Sequence, residues 1–292
     1  MSMFTRKESV RYPGLFVEKY KRKVFYDSLW DDQLVEMRGR VVDAAGDVVI
    51  NPFTKIFNRF ERNTNIDDGE KVIAVEKING FMAAATYVPS VGKVVVSTTG
   101  SLDSDYVTLA EKHLKSAIPV IVDYASIPEG KLTWLFEIVD ESNPHIIKEM
   151  PGAYLLGFRE VDSKESYSSS DGKEQLLDKF AIKMVVMRPT WGSALFSEVV
   201  EYSKNTEREG FVVYGKNTVL KIKSPYYLIT KFFARVGENR ILQVLNNLEN
   251  FKKEIDEEYY DLIDKIAANK EHFYMLSEQN RILWIENFLK GN

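Results

Sequence analysis

Lys77, in the segment Glu76-Lys77-Ile78-Asn79-Gly80, combines the features expected of a lysine nucleophile. It leaves an apolar run of β character and stands close to a glycine, so it can reach into a cleft while a ligand approaches the backbone. A desolvated lysine with cationic neighbours gives up its proton more readily and then attacks an electrophile. Taken alone, Lys-x-Asn-Gly is more often a surface turn. Glu137 lies inside Leu132-Thr133-Trp134-Leu135-Phe136-Glu137-Ile138-Val139, and a carboxylate in so apolar a strand must be paired, hydrogen-bonded or bound to a cation unless the strand is half exposed. Glu209-Gly210-Phe211-Val212-Val213-Tyr214 repeats the pattern, an acid and a glycine opening an apolar strand. In Val219-Leu220-Lys221-Ile222-Lys223 the two lysines share one strand face and Leu220 and Ile222 the other. Such a face can grip a polyphosphate, or it can simply be solvated.

Composition removes most other chemistries. The 292-residue chain has no cysteine, which excludes disulfides, thiolate zinc sites and cysteine nucleophiles. Its three histidines, His113, His145 and His272, are far apart in sequence, which argues against a histidine metal cage or a Ser-His-Asp triad. The net charge of −4 means that any grip on a phosphate backbone must come from local basic surfaces. Lys19, Lys21, Arg22 and Lys23 form one such cluster, and Lys216, Lys221, Lys223, Lys231 and Arg235 another. No apolar run approaches the roughly 18 residues of a membrane span, and the first residues lack the apolar core of a signal peptide. A cytoplasmic location is expected.

The elements that would position these residues fall into two textures. Up to about residue 230 the chain reads as mixed α and β, with strands expected at Lys71–Glu76, Lys93–Thr98, Leu132–Val139, Phe211–Tyr214 and Thr218–Lys223. Ser104 to Ile118 reads as one helix, capped by Ser104 and carrying Val107, Leu109, Ala110 and Leu114. Asp162–Gly172 reads as a polar loop and Gln175–Met187 as a helix. Beyond Tyr227, apolar residues recur at three- and four-residue intervals: Ile241, Leu242, Leu245, Leu248 and Phe251; then Tyr259, Leu262, Ile263 and Ile266; then Ile282, Leu283, Ile285, Phe288 and Leu289. This predicts a small helical domain at 229–292 after a main domain at 1–228.

The ordered set is more specific than its members. A lysine-glycine turn, a strand glutamate, Glu-Gly-hydrophobic and Lys-x-Lys, in that order, resemble the pocket motifs of the covalent nucleotidyltransferase superfamily of ATP-dependent ligases and RNA capping enzymes. Met37-Arg38-Gly39-Arg40-Val41-Val42 and Pro52-Phe53-Thr54-Lys55-Ile56-Phe57-Asn58 further resemble segments of the phage RNA ligase 1 family, the tRNA-repairing type. So does Leu220-Lys221-Ile222-Lys223-Ser224-Pro225-Tyr226-Tyr227; Ser97-Thr98-Thr99-Gly100-Ser101 sits where that family has a Lys-Ser-Lys-Gly-Ser segment, and Leu155-Leu156-Gly157-Phe158-Arg159 falls where the superfamily places a further strand segment. The resemblance covers about residues 35–230. There are two departures: Asn79 stands where the family has aspartate, and the helical tail lacks the signature of an OB domain.

The resemblance implies an α+β fold, a nucleotidyltransferase (adenylyltransferase) domain of antiparallel sheets with flanking helices plus the helical C-terminal domain. It implies an RNA ligase that uses ATP and Mg²⁺ (or Mn²⁺). Lys77 attacks the α-phosphorus, a lysine-AMP forms, AMP passes to an RNA 5′-phosphate, and a 3′-OH then displaces it. Arg38 and Lys55 are implied at the triphosphate, Lys221 and Lys223 at the α-phosphate, and Glu76, Asn79 and Gly80 around the nucleotide. Glu137 is implied at the ribose or an outer metal water, and Glu209 at the metal. Partners implied are RNA with 5′-phosphate and 3′-OH ends, a cleaved tRNA among them, and a separate end-healing kinase/phosphatase. An ATP-dependent DNA ligase, an RNA guanylyltransferase and a non-catalytic nucleic-acid-binding module are the competing readings.

Overall fold

The computed structural model describes residues 2–126, 131–161, 166–168, 186–187, 190–235, 247, 251–252 and 255–291. The expected loop at 162–172 lies largely outside these residues, as do the expected helix up to residue 185 and the stripe from Ile241 to Leu248.

Among the described residues three sheets carry the fold. Strands β1 (Phe4–Glu8), β2 (Phe16–Tyr20), β3 (Arg38–Val42) and β4 (Val48–Ile50) form an antiparallel meander. The five-stranded sheet takes β5 (Phe57–Asn58), β6 (Lys71–Glu76), β13 (Thr190–Leu195), β14 (Gly210–Tyr214) and β15 (Val219–Lys223) in the order β13-β6-β14-β15-β5. The six-stranded sheet is built on β7 (Phe81–Val88), β8 (Lys93–Thr98), β9 (Leu132–Val139) and β10 (Gly152–Glu160), with β11 (Ser166–Ser168) and β12 (Val186–Met187) both pairing with β10. Most pairings are antiparallel, as expected; β12 with β10 and β5 with β15 are parallel. Val186 and Met187, expected to end a helix, are therefore extended.

The helices are α1 (Arg22–Tyr26), α2 (Asp105–His113), α3 (Ala117–Ala125), α4 (Phe196–Ser203), α5 (Pro225–Arg235), α6 (Tyr260–Ala268), α7 (Lys270–Met275) and α8 (Glu278–Lys290). The single helix expected at 104–118 is two, because Pro119 in a continued helix would clash with the carbonyl of residue 115 and leave a bond unmade. A new helix starting at Ala117 puts Pro119 in its first turn, where the missing N–H costs nothing.

Two compact units emerge. One holds Met1–Val24, Ser28–Ile56 and Ile78–Thr190; the other holds Phe25–Asp27, Phe57–Lys77 and Trp191–Asn292. The first encloses a core of Val94, Val96, Val107, Leu114, Trp134 and Phe136 between the six-stranded sheet and its helices α2 and α3. In the second, Ala74, Phe211, Val213, Leu220 and Ile222 line one face of the five-stranded sheet against Phe196 and Val199 of α4. Its helical part packs Phe232 with Tyr259, Leu262, Ile263, Ile266, Phe273 and Ile285, so the described apolar stripes do pack on one another. Ile282 and Leu283 stand outside this cluster, Leu283 at 49% exposed. The residue 228/229 division falls inside α5, and the helices of the tail share a compact unit with the five-stranded sheet.

Candidate active site

Register decides which side chains meet on the five-stranded sheet. Phe211 lies opposite both Glu76 and Ile222, and Gly210 lies opposite Lys223. The Lys77 N–H continues the ladder by donating to the Gly210 carbonyl at 2.9 Å. Side chains alternate faces along a strand, so Lys77, Lys221 and Lys223 share the face away from the α4 core. Lys77, Gly210 and Lys223 thus form one row across three strands, with glycine in the middle. Gly210 cannot be replaced: its φ is +134°, and a β-carbon there would sit 2.0 Å from the Ile222 carbonyl oxygen. The same alternation puts Glu76 on the opposite, core-bearing face. The register therefore does not bring it together with the three lysines.

Glu209, only 2% exposed, places Oε1 2.8 Å from the Lys77 ammonium. Its backbone carbonyl accepts the Ser224 N–H at 2.9 Å, and the Ser224 hydroxyl donates to the Arg208 carbonyl at 2.5 Å, locking the strand ends that carry Glu209 and Lys223. Lys223 is paired as well, with the carboxylate of Glu258, whose other oxygen lies 2.6 Å from the Lys231 ammonium. Lys231 also contacts Asp256 at 2.9 Å. The Tyr227 ring lies 5.5 Å from the Lys223 ammonium and 5.4 Å from that of Lys231. Burial draws the Lys223 ammonium below the ordinary lysine value, against the pull of Glu258. Burial would raise Glu258, but the two ammonium groups override it and hold the carboxyl down at about 2. Burial also lifts the Tyr227 hydroxyl to about 12. This is a dense set of buried, mutually compensated charges, the setting in which electrostatic effects on a phosphoryl centre are largest.

In the other unit the expected residues serve different groups. The Asn79 side-chain carbonyl accepts the Ile147 N–H at 2.8 Å and tethers the segment after β9. Glu137 answers the demand for a partner in an apolar strand: it accepts the Gly80 N–H at 3.2 Å. A β-carbon on Gly80 would lie 2.3 Å from the Ile138 carbonyl oxygen, so the neighbour that approaches this glycine is β9 itself. Arg38 opens β3 opposite Lys19 of β2. Lys55 is 7% exposed, its ammonium 4.8 Å from the centroid of the Trp30 ring. Arg159, 1% exposed, fixes the segments bearing Arg38 and Lys55: it donates to Glu36 at 2.7 Å and to the Pro52 carbonyl at 2.7 Å, while Thr54 also donates to Glu36.

Among the described residues no set of three or more His, Cys, Asp or Glu side chains is placed to hold a metal by itself. Mg²⁺ usually keeps several waters and binds through one or two carboxylates plus substrate phosphates, and Glu209 is a carboxylate suited to so sparse a donor set. Sequence reasoning missed Glu258. It sits in the acidic run Asp256-Glu257-Glu258, which reads as solvated, and nothing local announces a pairing made 35 residues back along the chain.

The RNA ligase family model, of the T4 RNA ligase 1 type, matches residues 36–227. Among solved structures, an archaeal ATP-dependent RNA ligase is similar in two forms at 16% identity and a TM-score of 0.60; one alignment covers 98% of this chain and 72% of that one. A putative ATP-dependent DNA ligase from Aquifex aeolicus is similar at 15% identity and a TM-score of 0.57, covering 99% of this chain and 73% of that one. At these identities the likeness is one of fold. A search of curated proteins finds no significant match. No described helix is long and apolar enough to cross a membrane.

Proposed function

Because this chain belongs to the RNA ligase family, we propose that it joins RNA 3′-OH and 5′-phosphate ends with ATP, carrying AMP on Lys77 between the two substrates. The observation that supports this reading most is the placement of Lys77. Its ammonium is held by a buried carboxylate at the open end of β6, in one row with Lys223 across a glycine. ATP as the nucleotide is in keeping with the archaeal ligase of similar fold.

In the first step the Lys77 nitrogen forms a bond to the α-phosphorus while the bond to the bridging oxygen breaks, and pyrophosphate leaves with the electron pair. The nitrogen must first shed its proton, which the neighbouring ammonium groups favour, while the Glu209 carboxylate, with Oε1 2.8 Å away, orients it. Lys221 and Lys223 present ammonium groups on the same sheet face and serve the α-phosphate. In the reading carried over from the resemblance, Arg38 and Lys55 serve the rest of the triphosphate and Glu137 the ribose. Lys55 would have to leave its stacking on Trp30 to do so, and Glu76, on the core face, orients its strand instead of touching nucleotide. Mg²⁺, held at Glu209 and by substrate phosphates, supplies charge neutralisation. AMP then passes to the RNA 5′-phosphate, forming a pyrophosphate linkage as the phosphoramidate N–P bond breaks. Finally the 3′-OH attacks that 5′-phosphate, loses its proton, and AMP leaves. Splitting one condensation into three transfers leaves positioning and electrostatics as the main tasks of the protein.

The substrate we propose is RNA in need of repair, a cleaved tRNA being the candidate from family resemblance, with an end-healing kinase/phosphatase acting first. The test is incubation with α-labelled ATP and Mg²⁺, followed by joining assays on 5′-phosphorylated linear, nicked and tRNA-derived RNA against matched nicked DNA. Covalent label that is absent in Lys77→Ala, with joining of RNA in preference to DNA, is expected. Label from GTP, preferential sealing of DNA, or no nucleotidylation at all would each overturn the reading.

A further inference from the structure

The residue that touches Lys223 comes from the helical tail. We propose that Glu258 is a positioning residue for nucleotidyl transfer: its carboxylate, clamped on its far side by Lys231, holds the Lys223 ammonium at the end of the lysine row where the α-phosphate is received. The inference rests on the reading of Lys77 as nucleophile, and it makes the tail part of the first chemical step.

Geometry carries the argument. Glu258 uses both oxygens, one on Lys223 and one on Lys231, and all three side chains are only 8–12% exposed. Glu258 is also fixed by its neighbour in sequence. Tyr259, 1% exposed, packs its ring 5.1 Å from that of Phe232 and donates its hydroxyl to the Leu228 carbonyl at 2.7 Å. The carboxylate is therefore anchored to the same helix, α5, that supplies Lys231 and Tyr227. Tyr227 is the third wall, its ring lying between 5 and 6 Å from both ammonium groups. An ammonium group has three donors. One spent on Glu258 aims the lysine and leaves donors for a phosphate oxygen. Without the carboxylate, Lys223 would stand buried between Lys77 and Lys231, with Glu209 as the remaining acid of the row, and a long flexible side chain so placed turns away. A purely structural ion pair could sit anywhere in the tail. This one ends on a lysine of the Lys-x-Lys strand, in register with Lys77.

The experiment is single-turnover lysine adenylylation of the full chain across a range of ATP concentrations, with thermal midpoints measured alongside. Glu258→Gln keeps shape and removes charge; its maximal rate should fall by about tenfold or more while half-saturation in ATP shifts by less than about threefold. Glu258→Asp should recover most of the rate. Lys231→Met, which leaves the Lys223 and Glu258 charges but removes the clamp, should slow the step severalfold and carries the test if Glu258→Gln does not fold. An unchanged rate in Glu258→Gln or Lys231→Met, or no recovery in Glu258→Asp, would overturn the proposal. So would a faster rate in Glu258→Gln, since the carboxylate would then be occupying the place of the phosphate. Failure of the wild-type chain to label at all would instead refute the nucleophile reading, leaving the two failures distinct.

Discussion

The boundary between the two compact units falls within one short motif, between Lys77 and Ile78, and the two sides of that boundary use polar residues differently. On the five-stranded sheet the motif lysines are answered by charge, Lys77 by Glu209 and Lys223 by Glu258, and Glu258 is shared with Lys231 of α5, which also meets Asp256. On and beside the six-stranded sheet the answer is mixed: Arg159 of β10 is paired with Glu36, while Asn79 and Glu137 meet backbone. Asn79 accepts from Ile147 N–H, and Glu137 from Gly80 N–H. On the proposed reading Lys77 does the chemistry, while Asn79 and Gly80, two and three residues on, hold chain segments in place. The motif then divides into a proposed reactive end and an architectural end.

Substitutions can break or sharpen that contrast. Arg159→Leu should have the largest effect, on stability: stranding the buried Glu36 carboxylate should cost about 3–5 kcal/mol in denaturant unfolding. A cost below about 1 kcal/mol would mean that the clamp does not hold the segments of Arg38 and Lys55. Lys223→Ala should next lower lysine adenylylation by about 100-fold, with far less change in unfolding. Loss of stability without loss of rate would move the charged row to the architectural side. Asn79→Ala strands the buried Ile147 N–H and should destabilise the first unit by about 1–2 kcal/mol, read by thermal unfolding. Asn79→Asp keeps an acceptor but brings a charge to a position 6% exposed, so it should destabilise at neutral pH and regain stability on acidification, when the carboxyl is neutral. A loss that persists at low pH would show that the amide N–H₂ is the group in use.

Much of this was legible beforehand, for identifiable reasons. Lys71–Glu76, Lys93–Thr98 and Leu132–Val139 are strands over the expected ranges, because runs of Val, Ile and aromatic residues have few other stable fates. The strand Phe81–Val88 escaped notice although it lies between β8 and β9 in the sheet, because Ala83-Ala84-Ala85 carries little β preference of its own. Small side chains are chosen there by packing, which only the sheet reveals. The split helix was written in Pro119 but hidden by the apolar repeat running up to it. In the site, the shared face of Lys221 and Lys223 follows from simple alternation, whereas their register with Lys77 is set by the pairing of β6, β14 and β15. Alternation also removes Glu76 from the lysine face, an inference available from its adjacency to Lys77. Glu258 was beyond reach, since its partner is set by how α5 and the start of α6 pack, and no spacing encodes that.

The most direct test of the central claim is to locate the nucleotide. Wild-type protein incubated with ATP and Mg²⁺, then digested and mapped by mass spectrometry, should carry AMP on the peptide containing Lys77, joined to the side-chain nitrogen and labile to acid as a phosphoramidate is. AMP found instead on Lys55, Lys221 or Lys223, or no adduct under conditions in which RNA ends are joined, would contradict the account.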